Sequence, residues 1–186
     1  YGEQEGWSFA ISILLCLVIG VPLTLRKPSS HIFYLRESFV STALGWIALS
    51  CMGALPFLLS GALHNPVDAL FETVSGFTTT GSSIFTDVEC LPRCIVFWRS
   101  FTHWIGGMGV LVFLLILPPL AGGSHMNLMK AESPGPSVSR LVPKVQATAK
   151  ILYLIYIFMT LTEIIMLLAG GMSLFDSLTI SFGTAG

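Results

Sequence analysis

Residues 7–25 contain no charged side chain, and neither do residues 38–63. A helix needs about 20 apolar residues to cross the hydrocarbon of a bilayer, so each run is long enough to span it. Two further runs come close. Residues 94–117 are apolar except for Arg99 and His103 and stop at Pro118-Pro119, and residues 151–175 carry one ionisable group, Glu163, with Gly170-Gly171 marking the helix end. Arg26-Lys27-Pro28 closes the first run, and Pro56 lies near the far end of the second. Composition agrees with a membrane solvent: 53% of the 186 residues are hydrophobic and 10% charged, where a soluble domain carries about 25% charge. Nine Lys and Arg against ten Asp and Glu leave no basic surface for phosphates, which excludes a nucleic-acid binder. The chain reads as an all-α polytopic membrane protein with four spanning helices.

The positions of Lys and Arg orient it, because basic loops stay cytoplasmic. Arg26, Lys27 and Arg36 lie between the first and second runs, and Lys130, Arg140, Lys144 and Lys150 between the third and fourth. Both connections are therefore inside. Glu3, Glu5, Asp68, Asp87 and Glu89 fall on the other side with Arg93, which puts the N-terminus outside. Cys16, Cys51, Cys90 and Cys94 are too few for a disulfide scaffold, and Cys90 and Cys94 are read as free thiols rather than a bridge. The chain opens on Tyr1 with no basic segment before its first apolar run, so no signal peptide is recognised. It ends on Gly186 inside a motif, and reads as a fragment.

The outer connection, residues 64–93, is not an ordinary polar loop. Asn65-Pro66 supplies a cap and first-turn pair, and residues 67–77 suit a helix of about three turns, too short to span. Thr78-Thr79-Thr80-Gly81-Ser82-Ser83 follows. A half-length helix and a Thr/Gly/Ser loop between two spanning helices predict re-entry from the outside, with the loop buried in protein or lining a watery cavity. The pattern repeats. Phe77-x-Thr79-x-Gly81 recurs as Phe182-x-Thr184-x-Gly186 about 105 residues later, and Leu70-Phe71-Glu72 recurs as Leu174-Phe175-Asp176 with a one-residue slip, each copy after a spanning helix. The expected organisation is a leading helix over residues 1–28, a complete helix–pore-helix–filter–helix unit over 36–119, a cytoplasmic loop over 120–145, irregular through its prolines, and the first half of a second unit over 146–186.

Such loops suit a dehydrated monovalent cation. Backbone carbonyls replace its water shell, Gly81 lets consecutive carbonyls face one side, and the C-terminal end of an inward-running helix favours positive charge. The plainer reading is a polar turn at a helix end, and the repeat argues against it.

The strings Phe71-Glu72-Thr73-Val74-Ser75-Gly76-Phe77-Thr78-Thr79-Thr80-Gly81, Phe97-Trp98-Arg99-Ser100, His103-Trp104-Ile105-Gly106-Gly107-Met108-Gly109 and Ser181-Phe182-Gly183-Thr184-Ala185-Gly186 resemble the Trk/Ktr/HKT superfamily of potassium transporters, and within it the TrkH/TrkG-like membrane subunits. The resemblance implies four unequal repeats around one pore, each filter loop keeping one key glycine, with Gly81 as the first and Gly186 as the second. It implies potassium as the transported ligand at Thr78, Thr79, Thr80, Gly81, Thr184, Ala185 and Gly186, with no cofactor in this chain. Residues 7–25 would be the second of two helices ahead of the first repeat. It further implies a bacterial inner-membrane location, a homodimer, and a cytosolic NAD-binding regulatory subunit of the TrkA type. The basic inner loop around Lys130, Arg140, Lys144 and Lys150 either contacts that subunit or simply obeys the positive-inside rule. Without the third and fourth repeats the fragment is not expected to conduct, and the resemblance leaves channel-like and H⁺- or Na⁺-coupled symport open.

Arg99 lies about 7–8 Å inside its helix, where a charge calls for a partner; Glu72 is the candidate, with snorkelling to the interface as the alternative. Glu163 is read as a structural hydrogen-bonding group ahead of an ion ligand. His103 with Trp104 packs rather than binds metal, since no second ligand sits at metal spacing. Gly106-Gly107-x-Gly109 permits close helix approach and lacks the strand context of a nucleotide loop. Two other functions fit some features: a two-repeat cation channel that dimerises, and an intramembrane hydrolase pairing a loop serine with His103, which no G-x-S-x-G elbow supports.

Overall fold

The computed structural model describes residues 5–25, 35–88, 90–109 and 145–186, all helix and connection. Lys27, Lys130, Arg140, Lys144, Glu3 and Glu89, the cytoplasmic loop and the Pro118-Pro119 stop fall outside these residues. Among the described residues the helices are, in order, α1 (Gly6–Leu25), α2 (Leu35–Leu59), α3 (Pro66–Phe77), α4 (Arg93–Met108), α5 (Val145–Ala169) and α6 (Leu174–Ala185).

Three of them are long and apolar enough to cross a membrane, over Gly6–Leu25, Val40–Leu59 and Lys150–Ala169. The third expected span is shorter than its apolar run. α4 closes at Met108, where Gly109 turns the chain at φ 68° and its N–H bonds Gly106 O. Its 16 residues rise about 24 Å, short of the roughly 30 Å hydrocarbon, and residues 110–117 lie outside the described part. α2 likewise ends four residues before its uncharged run does, because Gly61 at φ 74° folds the chain back and Leu63 N–H reaches Phe57 O at 3.1 Å. α5 ends at the Gly170-Gly171 pair, with Gly171 at φ 89°.

α3 and α6 are 12 residues each, about 18 Å long and too short to span. Both have side-chain caps. Asn65 accepts the Val67 N–H ahead of Pro66, and Ser173 accepts the Asp176 N–H at 3.1 Å, which satisfies amides that have no partner inside the helix. Asp176, expected as the second counterpart of Glu72, sits in this first turn, hydrogen-bonded to Ser173 at 2.7 Å and away from the helix's far end.

A hydrophobic core is formed by Ala54 and Phe57 of α2, Ala69 of α3 and Ile95 of α4, with Phe85 and Trp98 packed against them. α3 runs inward between α2 and α4. Its end lies against Gly53 and Gly106, while Phe85, beyond the loop, is back at Phe57 with ring centroids 6.2 Å apart. The chain thus goes in and returns to the same side. α6 packs on α4 through Phe182, which touches Phe97, Phe101 and Trp104, and on α5.

Candidate functional site

α3 ends in a hydrogen-bonded cap built from the Thr-rich loop. Thr79 N–H bonds Gly76 O at 3.0 Å and Thr80 N–H bonds Ser75 O at 2.9 Å, the paired bonds of a Schellman motif. The left-handed residue that this motif requires is normally glycine. Here it is Thr79, at φ 55°. A β-branched side chain in that region is an outlier that costs of order 1–3 kcal/mol and persists only where its surroundings fix it. Gly81 follows at φ 76°, and a Cβ there would meet nothing within 4 Å. Two positive-φ residues two apart turn the loop sharply. The carbonyls of residues 78–81, all four of them exposed, accept no hydrogen bond from any described residue and are open to a ligand. Thr78 Oγ1 bonds Val74 O at 2.7 Å and lies 2.8 Å from Thr80 Oγ1.

The loop is tied back to its own helix. Ser75 Oγ donates to Ser82 O at 2.5 Å. Glu72, with its side chain 1% exposed, takes the next two residues: Ser83 Oγ lies 3.0 and 3.1 Å from its carboxylate oxygens, and Ile84 N–H donates to Oε2 at 2.9 Å. Arg99 Nε of α4 donates to Glu72 Oε1 at 2.6 Å. Arg99 therefore points to Glu72 of α3, the partner expected for it, and does not snorkel away. The carboxylate is compensated by one cation and two further donors, the condition under which a buried charge is tolerated. Ser75 and Ser83 escaped the sequence reading. The signal for them was weak, since serine is common at helix ends; their distinguishing mark is that Glu72 and Ser75 share the buried side of α3.

Gly106 and Gly107 of α4 each face a different short helix. A Cβ on Gly106 would strike Phe77 O and stand 3.0 Å from Gly76 O; one on Gly107 would stand 2.9 Å from Gly186 Cα and 3.2 Å from Ala185 O. The two C-terminal ends thus lie side by side against one stretch of α4. Trp98 Nε1 donates to Gly53 O at 2.9 Å and fixes α4 to α2, while Tyr156 Oη donates to Trp104 O at 3.0 Å and fixes it to α5.

In the second copy, Thr184 and Ala185 belong to α6 and not to a loop. Thr184 Oγ1 is 2.9 Å from Ile180 O, an in-helix bond, and also hydrogen-bonds Glu163 Oε1 of α5. His103 is buried against Gly76 and Gly186, and no group of three His, Cys, Asp or Glu that could hold a metal occurs among the described residues. Cys90 and Cys94 are not joined in a disulfide, and Cys90 Sγ lies 3.1 Å from Asp87 Oδ2.

Comparison with known proteins agrees with this geometry. The family model described as "TrkH: Cation transport protein" matches residues 6–174. The Trk system potassium uptake protein TrkH of Halomonas elongata is 37% identical over 185 residues, covering 97% of this chain and 38% of that protein. The protein of the same name from Escherichia coli K12 is 36% identical over 188 residues, covering 99% of this chain and 39% of its own length. Among solved structures, the potassium transporter TrkH from Vibrio parahaemolyticus superposes with a TM-score of 0.76 at 29% identity, over 98% of this chain and 36% of that one. Each of these is named a transporter and not an enzyme, and the chain spans less than two fifths of their length. With the family model matching residues 6–174 and relatives 36–37% identical over nearly all of its length, the chain belongs to the TrkH family of cation transport proteins.

Proposed function

We propose that this chain forms the first pore unit, and half of the second, of a protein that takes up potassium across the bacterial inner membrane. The observation that carries the reading is the loop after α3, where Thr79 and Gly81 both hold positive φ and four successive carbonyls accept no hydrogen bond from a described residue. Such carbonyls, at the C-terminal end of a helix dipole, suit a dehydrated cation. Thr78, Thr79, Thr80 and Gly81 supply the first part of the selectivity filter, and Thr184, Ala185 and Gly186 the second. The names of the relatives supply the ion.

The repeat boundaries at 36–119 and 146–186, the helix ahead of them and the cytoplasmic loop between them belong to the same reading. So do a homodimer and a cytosolic NAD-binding partner of the TrkA type; the word "system" in the relatives' names supports only that more than one component takes part. The full-length protein carrying this chain is expected to restore growth on low potassium to cells lacking other potassium uptake. No restoration by a well-expressed protein would overturn the assignment. Orientation has its own test. A membrane-impermeant thiol reagent applied to intact cells is expected to label a cysteine placed at Asp87 and to spare one at Lys130; labelling at 130 would reverse the topology.

A further inference from the structure

The two loops are not braced alike. At the spacing that aligns Thr79 with Thr184, Glu72 falls opposite Ser177, whose hydroxyl is fully buried and has no partner among the described residues. α6 therefore has no carboxylate of its own at the position where α3 has Glu72. Its carboxylate comes from the preceding spanning helix: Glu163 of α5 is hydrogen-bonded to Thr184 Oγ1. A hydroxyl has a single proton, and Thr184 Oγ1 also lies 2.9 Å from Ile180 O and 3.4 Å from Ser181 O. The bond to Glu163 is the one of these three that crosses between helices, and it ties the last turn of α6 to α5. An acid thirteen residues beyond Lys150, within the apolar run of a spanning helix, is costly and calls for a partner.

We propose that Glu163 is a positioning residue for the second filter loop, holding Thr184 through its hydroxyl and so fixing the direction in which residues 184–186 present their carbonyls. The inference rests on the reading of Thr184, Ala185 and Gly186 as filter residues. Glu163 does not touch the ion; it acts through Thr184, and an uncharged acceptor oxygen at the same place does the same work.

The test is potassium and sodium uptake by the full-length protein in proteoliposomes. Glu163→Ala and Thr184→Val are each expected to lower the potassium-over-sodium preference about tenfold, the upper worth of one ordinary hydrogen bond, and the double variant is expected to be no worse than either. Glu163→Gln and Thr184→Ser keep an acceptor and a donor in place and are expected to stay within about twofold of wild type. Unchanged preference in Thr184→Val, a Glu163→Gln loss as large as that of Glu163→Ala, or additive losses would each overturn the proposal. Thr184→Val and Thr184→Ser decide it if Glu163→Ala does not reach the membrane. Gly81→Ser in the same assay separates the two readings. If it changes the preference and Thr184→Val does not, only the role of Glu163 falls; if neither changes it, the filter reading falls as well.

Discussion

Gly81→Ser in the full-length protein is expected to lower the preference for potassium over sodium by about tenfold while leaving insertion near wild type. The figure follows from the cost of about 1–2 kcal/mol for holding a non-glycine residue in the left-handed region, where Gly81 lies at φ 76°. No clash contributes, because a Cβ at this position meets nothing within 4 Å. The serine relieves its strain by moving φ, and that turns the neighbouring carbonyls away from the ion. Potassium suffers more than sodium, since a less ordered, partly hydrated site discriminates less between them. Gly45→Ser is the control for damage to helices, as its Cβ also has open space. Gly53 is unsuitable for that purpose: a Cβ there would lie 2.7 Å from Thr73 Cγ2 and 2.9 Å from Phe77 Cε2, pressing on the pore helix itself. Wild-type selectivity in well-expressed Gly81→Ser protein would mean that residues 78–83 are not the filter.

The second large effect is expected from Glu72 and Arg99. Removing one partner of a buried ion pair costs about 3–5 kcal/mol, most of it from the charge left behind. Arg99→Met leaves Glu72 with Ser83 and Ile84 as its remaining donors, in a site where its side chain is 1% exposed. Glu72→Ala leaves Arg99 without its acceptor and releases Ser83 Oγ and Ile84 N–H together, so it loosens the loop as well as the pair. Arg99 is 20% exposed and recovers some solvation, which puts the loss toward the lower end of the range. Thermal unfolding of the detergent-solubilised protein is expected to show the double variant less damaged than the sum of the singles, by at least about 1 kcal/mol. Strict additivity would mean that the two charges act apart despite their 2.6 Å contact.

Much of this arrangement was legible in the residues. Uncharged runs gave the long helices, Asn65-Pro66 gave the start of α3, and the cost of an intramembrane charge paired Arg99 with Glu72. Three features were not. α4 stops at Met108 although its apolar run continues to residue 117, because hydropathy measures what a segment can be buried in and is silent on where the backbone turns. Thr79 occupies the left-handed cap position that sequence rules reserve for glycine or asparagine, so the residue type itself pointed elsewhere. Thr184 repeats the Phe-x-Thr-x-Gly string of the first loop yet remains helical, held by bonds to Ile180 O and to Glu163, a residue 21 positions away that no local motif contains.

Gly106 and Gly107 are consecutive residues, and each seats the C-terminal end of a different short helix. The separation between the two ends is therefore set by one peptide unit of α4 and not by the packing of independent domains. A displacement of this helix along its axis carries both ends the same distance, whereas a rotation about the axis brings one end closer as it withdraws the other. Whatever moves α4 moves the two as a linked pair.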